Sequence, residues 1–218
     1  MKSTLTASKL AYLQAMDIPL WVRRGSNEKP ANLKEAEEGW AELQRCVKNC
    51  TRCGLHQGRT HAVFGMGRPE SRLLFVGEGP GANEDRQGLP FVGRAGQLLD
   101  AMLNAIDLNR EKAYIANIVK CRPPNNRDPQ PEEIAACTPY LQQQIEYIQP
   151  KLIVALGRVA AHYLLQTKSS MAQLRGKVHS LPSKKVPLIV TFHPAYLLRN
   201  PLDKAQALQD LYLIKQYF

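Results

Sequence analysis

The sequence predicts an α/β fold: three α/β/α layers around a central four-stranded parallel sheet, preceded by an N-terminal helical extension. Two observations carry this. Four short, mainly apolar runs, at residues 72–77, 113–120, 151–157 and 186–192, have the length and apolarity of strands buried on both faces. The segments between them are helical in pattern, as Leu98, Leu99, Met102, Leu103 and Ile106 show within residues 93–108. Strands alternating with helices pair in parallel, and such sheets bind ligands beyond the carboxyl ends of their strands.

Taken in order, residues 4–16 have helical spacing, and residues 21–32, rich in Gly, Pro, Asn and charge, read as a linker. Asn32 suits the cap of a helix that runs towards Cys50. The run RLLFVG is the first strand, GRAGQLLDAMLNAIDL a helix and AYIANIVK the second strand. In the helix over 131–148, Pro131 occupies the first turn beside two acids, where a missing N–H and negative charge are both favoured. KLIVALG is the third strand, RVAAHYLLQ a helix, VPLIVTF the fourth strand, and PLDKAQALQDLYLIKQYF the closing helix. The expected domains are an extension and linker over 1–45 and one α/β domain over 46–218.

The chain of 218 residues carries a formal charge of +10. Residues 46–218 hold 22 Lys/Arg against 13 Asp/Glu, so the excess sits on the α/β domain and suits a polyanion such as nucleic acid. There is no apolar run near 18 residues, and the N-terminus lacks a continuous apolar core of the kind an export signal needs. A cytoplasmic location is therefore expected, where cysteines serve as metal ligands more often than as disulfides.

Four of the five cysteines form two pairs, Cys50 with Cys53 and Cys121 with Cys137. Four converging thiolates select zinc or an iron–sulfur cluster. The fifth, Cys46, makes the first group read C-x3-C-x2-C, so the ligand set is open on spacing alone.

The stretch GEGPGANEDRQGLPFVGRAGQLL begins where the first strand ends. Gly77, Gly79 and Gly81 permit close approach of backbone to a ligand, and Glu78, Glu84 and Asp85 supply carboxylates. Phe91 offers a flat apolar face, and Gly93 and Gly96 open a helix. The stretch fits neither common glycine-rich phosphate loop, and its acids would repel a phosphate. Together with NIVKCRPPNNRDP and HPAYLLRNP it resembles the iron–sulfur uracil-DNA glycosylases, family 4 of their superfamily, from about Cys50 to the C-terminus.

That resemblance implies a monofunctional DNA N-glycosylase of base excision repair. Its partner is uracil-containing DNA, single- or double-stranded, and the protein acts as a monomer away from membranes. Asn117 is the implied base reader, since an amide can accept from uracil N3–H and donate to O4. Phe91 stacks on the flipped base. His193 donates to uracil O2 as charge develops there, whereas His56, His61, His162 and His179 lack such a setting. Glu78 positions water or stabilises the sugar cation. The cluster-free relatives carry an Asp one place later, where this chain has Gly79 in the substrate pocket. Glu84 excludes the thymine methyl. Leu197 or Leu198 wedges into the duplex, and Arg199 holds a phosphate. Cys50, Cys53, Cys121 and Cys137 hold a structural 4Fe–4S cluster, with Cys46 a bystander.

Three rival readings differ in kind. A radical S-adenosylmethionine enzyme would use Cys46, Cys50 and Cys53, leaving Cys121 and Cys137 without a role. A covalent uracil-DNA binding protein needs a histidine in a basic insert after the second strand, and CRPPNNRDPQPEE has none. A structural zinc site fits the ligand count equally well.

Overall fold

All four apolar runs lie side by side at the centre of one six-stranded sheet in a computed structural model that describes residues 33–218. The strands are β1 (Met66–Gly67), β2 (Leu73–Gly77), β3 (Tyr114–Asn117), β4 (Leu152–Leu156), β5 (Val178–Ser180) and β6 (Pro187–Thr191), in the order β1-β3-β2-β4-β6-β5. The inner four are mutually parallel, while β1 and β5 add antiparallel edges. Neither edge strand was expected. With two and three residues, largely exposed, they have no apolar run to announce them. Short, exposed edges also offer little template for pairing with another chain.

Alternation along the strands feeds the two faces. Leu74, Val76, Ala116, Ile153, Ala155, Leu188 and Val190 pack in one cluster with Leu43, Val47, Leu141 and Ile145. These come from α1 (Leu33–Lys48) and α4 (Pro131–Ile148). Leu73, Phe75, Ile115, Leu152, Val154 and Ile189 pack on the other face. They meet Leu99 and Leu103 of α3 (Arg94–Asn104) and Leu211 and Ile214 of α8 (Lys204–Lys215). Each such side chain contributes roughly 1.5–3 kcal/mol on leaving water. Two covered faces make the three layers.

The remaining helices are α2 (Ala82–Gln87), α5 (Arg158–Leu165), α6 (Met171–Leu174) and α7 (Pro194–Arg199). Several differ from the sequence expectation at their ends. The helix expected over 93–108 stops at Asn104, because Asp107 takes a left-handed φ of 60°. The closing helix starts at Lys204, after a short 3-10 turn over Pro201–Asp203. One compact unit runs from Glu37 to Phe218, and within it Trp40 of α1 meets Phe64, Tyr114 and Tyr147 edge-on at 5.1–5.8 Å. The helix and linker expected over 4–32, with the cap at Asn32, lie outside the described residues. Among the described residues no helix is long and apolar enough to cross a membrane.

Candidate active site and cysteine cavity

The parallel strands run in the order β3-β2-β4-β6, so the chain reverses direction across the sheet between β2 and β4. Crevices in open α/β sheets form outside the carboxyl ends at such a reversal. A cleft of about 630 Å³ lies there, lined among others by Glu78, Gly79, Glu84, Phe91, Asn117, Gly157, Arg158, His193 and Arg199.

Register explains the floor. Gly77 pairs with Asn117, and a Cβ on Gly77 would run into Asn117 Oδ1 and the Phe91 ring. Glycine there lets both side chains close over the strand end. Asn117 is 2% exposed, and its Oδ1 has no hydrogen-bond partner among the described residues. A buried unpartnered acceptor costs about 1–3 kcal/mol and calls for a ligand or another role.

Across the cleft, Gly157 N–H donates to Thr191 O at 2.8 Å, and Gly157 sits at a left-handed φ of 88°. A Cβ at Gly157 would press on His193 Cβ. His193 caps α7, its Nδ1 accepting from Ala195 N–H at 3.1 Å, which leaves the imidazole proton on Nε2. Burial, aided by Arg199 and opposed by Glu84, pushes His193 down to about 4, so the ring is neutral at pH 7. The Phe91 and His193 rings lie 5.5 Å apart and tilted by 32°.

Glu78 follows β2 directly. Burial and the Asp128 carboxylate push it up to about 7, with Arg158 opposing. Arg158 itself pairs with Asp128 at 2.6 Å on the cleft rim. Glu84 Oε1 accepts from Val92 and Gly93 N–H, both at 2.9 Å, and so fixes the turn that carries Phe91 at φ 54°. Arg110 holds the same turn from behind, donating to Phe91 O at 2.5 Å while pairing with Asp100. Asp85, grouped in the sequence with Glu78 and Glu84, points elsewhere: its Oδ1 takes Thr60 and His61 N–H at 2.9 and 3.3 Å.

The two leucines of HPAYLLRNP separate. Leu197 is 1% exposed and packs in the core under α7, which corrects the expectation that it could meet DNA; Leu198 is 38% exposed. Sequence reasoning missed Arg127, Asp128, Arg158 and Tyr196 on the cleft wall. Only NNRDP hinted at the first two, by its place after the second strand.

A second, smaller cavity is lined by Cys50, Cys53, Cys121 and Cys137 together with Arg52, Arg59 and His56. Donors face the sulfurs. Arg59 Nη1 approaches Cys121 Sγ at 3.0 Å, Lys120 N–H approaches Cys137 Sγ at 3.2 Å, and Arg52 N–H approaches Cys50 Sγ at 3.5 Å. Thiols so placed, pushed up by burial to about 11 for Cys137, are poor thiolates alone and good ones beside a metal centre. The site therefore fits a thiolate-held group. Among the described residues no three His, Cys, Asp or Glu converge on a single ion. Cys46 stands apart, exposed on α1 and hydrogen-bonded to Glu42 at 3.3 Å. It does not line the cavity, which removes the geometric basis for the C-x3-C-x2-C triad.

A family model described as the uracil DNA glycosylase superfamily matches residues 64–214. The chain is 50% identical over 175 residues to the type-4 uracil-DNA glycosylase of Thermotoga maritima, covering 78% of this chain and 90% of that protein. It is 49% identical over 167 residues to the type-4 enzyme of Sulfurisphaera tokodaii, covering 73% and 76%. A type-5 uracil-DNA glycosylase of Thermus thermophilus is more distant, 33% identical over 60% of this chain and 68% of that protein. With a switch-point cleft, a four-cysteine cavity and these likenesses in hand, the chain belongs to the uracil-DNA glycosylase superfamily and, within it, to the type-4 enzymes.

Proposed function

We infer that the protein is a DNA N-glycosylase that takes uracil out of DNA and hydrolyses its N-glycosidic bond, leaving an abasic site. The observation that carries the reading is the buried Asn117 Oδ1, at the end of β3 and beside the cleft, without a partner among the described residues. Uracil N3–H completes that acceptor, and the amide NH2 then donates to O4. Cytosine reverses both bonds, at about 1–3 kcal/mol for each polar group left unmatched.

His193 serves as the donor to uracil O2. Its Nδ1 is committed to Ala195 N–H, so Nε2–H is the proton offered, from a neutral ring. A fixed donor aimed where charge develops stabilises the departing uracil anion. Glu78 faces the sugar cation or orients water, and its raised protonation range makes it ionise near neutrality. Gly79, where cluster-free relatives place an Asp, leaves Glu78 as the carboxylate beside the bond. Phe91 stacks on the base. Glu84, besides bracing the Phe91 turn, walls off the thymine methyl. A passive pocket discriminates one methyl by only about 1–3 kcal/mol, so a rigid wall matters.

Arg199 on the cleft rim takes a phosphate, and exposed Leu198 is the wedge that fills the vacated stack. Cys50, Cys53, Cys121 and Cys137 hold a 4Fe–4S cluster, a reading that the likeness to the type-4 enzymes supports over zinc. Bound, the cluster is a structural staple between α1, the segment after β3, and α4. We place the glycosylase domain at 46–218 and the protein in the cytoplasm, acting as a monomer on single- or double-stranded DNA. Incubation with uracil-containing oligonucleotides of both kinds tests the function. Free uracil and an alkali-labile site support it, whereas a stable protein–DNA adduct without release would replace it with covalent capture. Iron and sulfide analysis tests the cofactor.

A further inference from the structure

Between the base reader Asn117 and the ligand Cys121 lie only three residues, and the third is a lysine buried to 1% exposure. After β3 the backbone bends over residues 118–120, while Ile118 and Val119 N–H still donate to Gly77 and Glu78 O at 3.0 and 3.1 Å. Lys120 then turns its side chain back along the strand. Its Nζ donates to Asn117 O at 2.8 Å and to Gln144 Oε1 at 2.6 Å. Gln144 of α4, itself fully buried, donates onward to Phe64 O at 2.9 Å. On the other side, the backbone N–H of Lys120 faces Cys137 Sγ. One residue thus contacts the peptide of the base reader through its side chain and a cluster ligand through its backbone.

The charge of this ammonium needs an account. Its hydrogen-bond partners among the described residues are two neutral oxygens, and an ammonium in the interior is costly without an anion. The group around it supplies Tyr114 and Gln144, both uncharged, and Cys137. Four thiolates around a cluster would place the missing negative charge beside it. We propose that Lys120 is a positioning residue that answers the charge of the cluster and, by the same ammonium, holds the Asn117 peptide in the register needed to read uracil. The proposal rests on the functional reading above, and it extends it: the cluster acts on base selection through one side chain.

Two variants separate the charge from the tether. Lys120→Met removes both charge and donors; Lys120→Gln removes the charge but keeps donors for Asn117 O. A cation near the cluster favours its more negative reduced form, so both variants should shift the midpoint potential to more negative values in spectroelectrochemical titration. Uracil-over-cytosine discrimination, read as the ratio of kcat/KM on matched oligonucleotides, should fall about tenfold in Lys120→Met, the lower end for outer-shell partners of a metal site. Lys120→Gln should keep most of it. If Lys120→Met does not fold, Lys120→Gln decides: an unmoved potential there overturns the proposal, as does unchanged discrimination in a loaded Lys120→Met. A wild-type protein without iron, or without uracil release, would instead sink the reading on which the proposal rests.

Discussion

The cleft and the cysteine cavity lie at the two ends of one short segment, Asn117 to Cys121, yet they are prepared differently. In the cleft the acceptor of Asn117 has no partner among the described residues, the imidazole proton of His193 is turned to Nε2, and Glu78 sits near its ionisation point. Around the cysteines the opposite holds: N–H groups of Arg59, Lys120 and Arg52 already face three of the sulfurs. An open valence marks a place for a ligand that arrives and leaves. Donors already aimed at sulfur mark a place for a group that stays. Reactivity and permanence are thus told apart by which polar atoms the fold satisfies in advance.

The comparison breaks most clearly at His193. His193→Ala should lower kcat on uracil-containing DNA by about 10²–10³, the usual loss for one donor to a developing anion. Single-turnover uracil release measures it, and a loss under threefold would deny the histidine that role. Next, Cys121→Ser should lose the brown absorbance and most bound iron and lower the melting temperature, because a metal that staples distant segments contributes folding free energy. A variant with full iron content would move Cys121 out of the ligand set. Asn117→Asp comes third, with the uracil-over-cytosine ratio falling by about 1–3 kcal/mol per mismatched bond. Equal rates before and after substitution would refute its role as reader.

Glu78 sharpens the contrast through pH. Its carboxyl is raised to about 7 from the ordinary value of 4.5, so the folded state disfavours the charge. The resulting destabilisation is fully present above pH 7 and gone below about pH 4.5, since the folded protein holds the proton more tightly in between. Glu78→Gln should therefore raise the melting temperature at pH 8 and not at pH 4, while abolishing an activity limb that rises through about pH 7. A pH-independent change in melting temperature would assign Glu78 to packing instead. Smallest of all, Cys46→Ser should leave iron content unaltered, and any loss of cluster would return Cys46 to the set.

The inner sheet was legible because its signal is local. LLFV and LIVAL are apolar at every position, and only strands covered on both faces need that. β5 was not legible, since Val178-His179-Ser180 is mostly exposed and its pairing partner lies seven or more residues away. The cleft was legible in part. Motif order brought Glu78, Asn117 and His193 to the strand ends, with Phe91 on the turn before α3, and all four line the cleft. What sequence could not carry was the use of individual atoms. That Glu84 spends Oε1 on two amides, or that Lys120 folds back onto Asn117, depends on backbone positions fixed by distant contacts. The fate of Leu197 against Leu198 turned on the start of α7 at Pro194, which rotates one inward and the other out.

The order of the cysteines along the chain has a consequence for biosynthesis. Cys50, Cys53, Cys121 and Cys137 all leave the ribosome before β4, β6 and His193 are made. The residues that line the cysteine cavity are therefore all made while the cleft still lacks one of its walls. A group bound by those four thiols at that stage would be in place before the cleft is closed.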